Sequence, residues 1–285
     1  MSNSPKTLRA LSAMLLVLAS GHALATATAS AQLTNLTVTL GRISNAAGTA
    51  APSATFENLA NGSGGLTYAA SGPPFAWQSA AANGTTFLGS FGIQSVVPQA
   101  GAAASLTGDA SAGTAVASAS AWAQGSPVPS PLTNGSAGRV SLGDGGDSVN
   151  FTLGPNTFLE VSGTLSLAAS LSAPTDGNAF ENVAAWGNFS LTGTNGANSQ
   201  SSFASVTEVA QNYFGIISDT GYQGAYDFDI AFFGSRTTTT SGVFQGSVGA
   251  NVISNVSSVP EPSNLALMLA AGSAFGWLAR RRRVR

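Results

Sequence analysis

Apolar and polar positions alternate with a period of two along most of the chain, and the polar partners are almost all Ser, Thr, Asn, Gly or Ala. Leu36, Val38 and Leu40 alternate with Thr37 and Thr39, the pattern of a strand with one face on a core. Val149, Phe151 and Leu153 repeat it, and Gly154-Pro155-Asn156 supplies a turn. Leu159, Val161, Gly163, Leu165, Leu167, Ala169 and Leu171 then continue one face. That run is too long for a flat strand, so Gly163 is expected to mark a bulge or bend. Further strands are expected over residues 183–191, 203–209, 222–233 and 243–256, and a strand pair turning near Gly92 over residues 87–97. Within residues 222–233, Tyr222, Tyr226, Phe228, Ile230 and Phe232 share one face while Asp227 and Asp229 point the other way.

Residues 102–123 are the ambiguous stretch, because alanine-rich composition favours helix. Alternation of Ala115, Ala117, Ala119 and Ala121 with Val116, Ser118, Ser120 and Trp122 instead argues for strand. Residues 41–65 carry little pattern and read as loop with short edge strands. Gly72-Pro73-Pro74 is a break, and residues 125–131, with Pro127, Pro129 and Pro131, are the best candidate for an internal boundary. The body between the two ends is therefore expected to be all-β, an antiparallel β-sandwich or jelly roll spanning residues 32–258. Its edges carry little charge, so loops, bulges or self-association are expected to cover them.

Charge changes the picture at the two ends. Seven of the ten Lys and Arg residues lie in the first nine or last six positions. The body keeps Arg42, Arg139 and Arg236 against eleven acids, a net of −8, which disfavours nucleic acid as a partner. Cysteine is absent and the one histidine, His22, precedes the body. No Ser-His-Asp or Cys-His nucleophile and no thiolate or imidazole metal site can be assembled there. No catalytic residue is assigned, and a non-enzymatic role is expected.

Lys6 and Arg9, followed by the apolar run of residues 10–19, have the layout of an export signal. Two small-x-small cleavage sites follow, Ala23-Leu24-Ala25 and Ala29-Ser30-Ala31. Cleavage after Ala31, leaving Gln32 as the new N-terminus, is expected, with signal peptidase as the processing partner. At the other end stand Val259, Pro260, Glu261 and Pro262, an apolar run over residues 263–278, and Arg280, Arg281, Arg282 and Arg283. As a helix that run would be about 24 Å long, somewhat short of the bilayer core. The arginines would stop transfer on the cytoplasmic side. Both ends then agree on an exported body.

This tail resembles the PEP-CTERM sorting signal of Gram-negative bacteria, in which a Pro-Glu-Pro motif, a short membrane helix and an arginine cluster follow in that order. The resemblance covers residues 259–285. It implies recognition by an exosortase, a membrane cysteine protease that cuts near Pro260, Glu261 and Pro262, and transient inner-membrane anchoring through residues 263–278. It also implies a secreted or cell-surface location associated with exopolysaccharide and biofilm. The tail is substrate, so the resemblance carries no catalytic residue to this chain.

Candidate chemistry in the body is sparse. Asp144 and Asp147 sit three apart in Leu142-Gly143-Asp144-Gly145-Gly146-Asp147, oxygen ligands on a glycine-rich loop that would suit calcium; the same residues also suit a solvated hairpin turn. No other cofactor is expected. Asp227 and Asp229 could share a cation or sugar hydroxyl, or simply form the wet face of a strand. Glu57, Glu160, Glu181 and Glu208 are the carboxylates a glycosidase would need in pairs, and nothing in the sequence pairs them. Trp77, Trp122 and Trp186 could stack on sugar rings or belong to the core. Asn-x-Ser/Thr sequons occur at Asn35, Asn61, Asn83, Asn134, Asn150, Asn188 and Asn255, as a Ser/Thr-rich composition alone would produce. A carbohydrate- or calcium-binding sandwich is therefore the alternative to a purely structural matrix protein, and a carboxylate glycosidase is a more distant third.

Overall fold

The computed structural model describes residues 26–45, 49–57, 63–72, 76–83, 90–108, 114–124, 134–142, 148–172, 180–196, 198–213, 216–217 and 221–255. The candidate leader core, the sorting tail, residues 125–131 and the Asp144/Asp147 loop lie outside them. Every regular element among the described residues is a strand: β1 (Thr26–Arg42), β2 (Ala54–Glu57), β3 (Ser63–Ser71), β4 (Ala76–Asn83), β5 (Phe91–Val97), β6 (Ala100–Thr107), β7 (Ala115–Gln124), β8 (Asn134–Leu142), β9 (Ser148–Leu153), β10 (Thr157–Ser170), β11 (Phe180–Asn195), β12 (Asn198–Tyr213), β13 (Ile216–Ile217), β14 (Gly221–Phe233) and β15 (Thr240–Ser254). No helix among them is long and apolar enough to cross a membrane.

The strands form two antiparallel sheets packed face to face, as the alternating pattern requires. One has the order β14-β10-β1-β7-β6-β5 and the other β13-β12-β11-β15-β8-β3-β4, with β9 and β2 continuing alongside β15. Two kinds of core lie between them. Leu33, Leu36, Leu142, Phe151, Leu159, Leu165 and Phe232 fill one part with large side chains, and Phe151 meets Phe232 edge-on at 5.3 Å between ring centroids. The other part is almost pure alanine, with Ala27, Ala29, Ala102, Ala119, Ala121 and Ala123 buried together. Alanine keeps the sheets close: a Cβ added to Gly138 of β8 would come within 2.5 Å of the Ala103 carbonyl oxygen in the facing sheet. The alanine run over residues 102–123 is therefore two strands, β6 and β7, paired antiparallel, because alanine at every second position fits a narrow inter-sheet space that a helix could not enter.

Three local expectations change. Gly92 lies on the exposed face within β5, and the chain turns instead at Pro98 and Gln99 before β6. The bulge expected at Gly163 belongs to the neighbouring strand: Thr34 pairs Thr164 and Thr37 pairs Ser162, so Asn35 and Leu36 of β1 oppose Gly163 alone. Asn35 takes the left-handed backbone there, with φ of 55°. Finally, β8 and β9 do not form a hairpin. Leu142 pairs Gly246 and Ser148 pairs Gln245, so the two strands lie end to end along β15.

Uncharged edges are covered by side-chain amides and hydroxyls. Gln78 Oε1 of β4 accepts from the Val96 N–H of edge strand β5 at 2.8 Å. At the opposite side of the sandwich, Gln200 Oε1 of β12 accepts from the Phe233 N–H of edge strand β14 at 2.8 Å, and Ser202 Oγ from Ala231 N–H at 3.3 Å. Donors that would otherwise template another strand are thereby occupied.

Candidate functional site

The outer face of the second sheet carries a groove of about 380 Å³. Its position follows from strand register. Ser205 of β12, Asn188 of β11 and Ser247 of β15 stand in one cross-strand row, and their small side chains make a floor. On one side the next outward row is Thr207, Trp186, Gly249 and Arg139; on the other it is Phe203, Ser190 and Gln245. These rows stand two residues away along each strand, about 7 Å from the floor on either side. Small residues flanked by large ones in register are what produce the depression.

Its chemistry is amphipathic. Phe203 is 77% exposed although it is a large apolar ring, and it forms one wall. Opposite it, the Trp186 indole lies across Gly249, where any Cβ would overlap the ring. Gly249 is the residue between Trp186 and Arg139 in the row, so the indole extends toward the arginine. The floor is a hydroxyl–amide pair, with Ser205 Oγ donating to Asn188 Oδ1 at 2.6 Å. Gln245, Ser190 and Ser247 complete a set of groups able both to donate and to accept. An exposed aromatic ring beside paired hydroxyl and amide groups offers contacts for an apolar C–H face and for the hydroxyls around it.

The tryptophans proposed from sequence divide three ways. Trp77 is 63% exposed on β4, Trp186 borders the groove, and Trp122 of β7 lies half-buried across Gly101 of β6 on the outer face of the first sheet. None of the three sits between the sheets. Phe203 and Arg139 were missed, because nothing in sequence shows that residues 64 positions apart come to flank one cross-strand row.

The carboxylates scatter. Asp227 and Asp229 lie on the exposed face of β14, and Asp227 Oδ1 accepts from Thr164 Oγ1 at 2.7 Å. Glu160, on β10, shares that outer face, so these acids stand side by side instead of flanking a substrate from two directions. Glu208 instead meets the Tyr226 hydroxyl, which also contacts the Tyr222 hydroxyl. With a single proton Tyr226 can donate to only one of them, and the bond to Glu208 pushes its phenol above the ordinary value. Glu57 lies exposed at the end of β2. Glu181 is fully buried between the sheets; burial pushes its carboxyl up, partly offset by bonds from the Ser172 and Ser254 hydroxyls.

Among the described residues no three His, Cys, Asp or Glu side chains are grouped to hold a metal ion. Asp144 and Asp147 lie outside the described residues. Val259, Pro260, Glu261, Pro262, Arg280, Arg281, Arg282 and Arg283 also lie outside the described residues. Ala31 and Gln32 lie in the middle of β1, paired on both sides, so the strand crosses the boundary drawn from sequence at residue 31. Of the sequon asparagines, Asn134 is 1% exposed and donates to the Gln124 carbonyl, Asn188 belongs to the groove floor, and Asn35 and Asn150 are exposed.

No protein-family model matches this chain, and no curated protein matches it in sequence.

Proposed function

We propose that this chain is an exported, non-enzymatic surface or matrix protein that is sorted by an exosortase and contacts extracellular polysaccharide through the outer face of its second sheet. The sorting part rests on the tail, whose Pro260-Glu261-Pro262 motif, apolar run and arginine cluster follow in the order of a PEP-CTERM signal. The contact rests on one observation: Phe203 and Arg139 line a groove on either side of a floor of Ser205, Asn188 and Ser247. Calcium, for which Asp144 and Asp147 are the candidate ligands in sequence, is a secondary element of the same reading.

Two measurements test it. Deleting residues 259–285 is expected to abolish extracellular delivery and processing; unchanged delivery removes the sorting reading. The purified exported body is expected to be retained on immobilised host exopolysaccharide, and Phe203→Ala to release it. Equal elution of the two proteins in the void volume removes the polysaccharide reading and leaves sorting untouched.

A further inference from the structure

We propose that the mature chain begins at Thr26, through hydrolysis of the Ala25–Thr26 peptide bond, and that the downstream Ala29-Ser30-Ala31 site is not the one used. This rests on the export reading above. β1 is an interior strand, with β10 on one side and β7 on the other. Its first six residues all pair with β7 and, from Thr28 on, with β10 as well: Ala27 pairs Ala123, Ala29 pairs Ala121 and Ala169, and Ala31 pairs Ala119 and Leu167. The three alanine side chains are 0%, 3% and 1% exposed. Removing residues 26–31 would leave the facing edges of β7, over residues 119–124, and of β10, over residues 167–170, without a partner in the middle of a sheet. Backbone donors and acceptors would be stranded there, and the alanine core would open.

The fold also explains why a second cleavage motif is present. Signal peptidase requires small residues at two positions separated by one. A strand lining the narrow alanine core requires small residues at every second position. Ala27-Thr28-Ala29 and Ala29-Ser30-Ala31 satisfy the first rule because they obey the second. Ala23-Leu24-Ala25 has no such explanation in the described strand and stands immediately before it. In the reaction, water adds across the amide, leaving a carboxylate on Ala25 of the released leader and an α-ammonium on Thr26.

The test is N-terminal sequencing and intact mass of the full-length chain after export from a Gram-negative host. The expected sequence is Thr-Ala-Thr. A mature chain starting Gln-Leu-Thr overturns the inference while leaving export intact; a chain that keeps Met1 removes the export reading and this inference with it. Ala25→Arg, a change that alters none of the described residues, is expected to slow processing at least tenfold and accumulate precursor. Processing of that variant at the normal rate to a chain beginning at Gln32 also overturns it.

Discussion

The Ser254 hydroxyl donates to Glu181 Oε1 at 2.9 Å, joining the last residue of β15 to a carboxylate that is 0% exposed. Ser172 donates to the same oxygen, while Oε2 is buried without a protein partner. Burial disfavours the ionised form, so the folded protein holds this proton more tightly than the unfolded chain does. The unfolded chain releases its proton first. Stability therefore falls as pH rises from the ordinary carboxyl value of 4.5 up through the raised folded value, and stays lower above it. Glu181→Gln, which cannot titrate, is expected to remove that slope. Urea midpoints of both proteins at pH 5 and pH 8 check this; parallel pH profiles would contradict it.

Glycines at two positions should respond in opposite senses. A Cβ at Gly138 meets the Ala103 and Ser120 carbonyl oxygens at 2.5 and 3.0 Å, and backbone cannot rotate away as a side chain can. Gly138→Ala is expected to cost about 1–3 kcal/mol, the range for overpacking. Around Gly92 nothing lies within 4 Å, so Gly92→Ala should stabilise β5 by about 0.5–1 kcal/mol through lost chain entropy. Thermal unfolding of the two variants separates the effects.

Removal of the edge covers should show itself as association before it shows as unfolding. Gln78→Ala and Gln200→Ala free the Val96 and Phe233 N–H groups on opposite sides of the sandwich. Each is expected to cost about 1 kcal/mol in stability. The double variant is also expected to form concentration-dependent oligomers by light scattering, whereas Gln200→Lys, which places a charge at the same edge, should remain dispersed.

Binding and stability should separate at the groove. Phe203 is 77% exposed, so Phe203→Ala is expected to shift stability by no more than about 0.5 kcal/mol. Its effect on polysaccharide affinity should be about tenfold, or 1.4 kcal/mol, as for a ring lost from a binding surface. Arg139→Ala should weaken acidic polymers more than neutral ones, which calorimetry against both would reveal.

The alternation of Leu36, Val38 and Leu40, and of Leu159 through Leu171, is enough to establish strands with a dry face and a wet one, since period two is a property of the chain itself. The absence of His and Cys from the body likewise rules out whole classes of chemistry without coordinates. Register is a different matter. That Asn35 and not Gly163 makes the bulge, that β8 and β9 lie end to end on β15 instead of forming a hairpin, and that Arg139 and Trp186 share a row are all consequences of pairing between distant segments. A shift of one residue would turn each side chain to the opposite face, and the local pattern is the same for many pairings. The groove is therefore a product of tertiary structure. So is the assignment of Ala29 and Ala31 to a sheet interior, where their spacing serves packing.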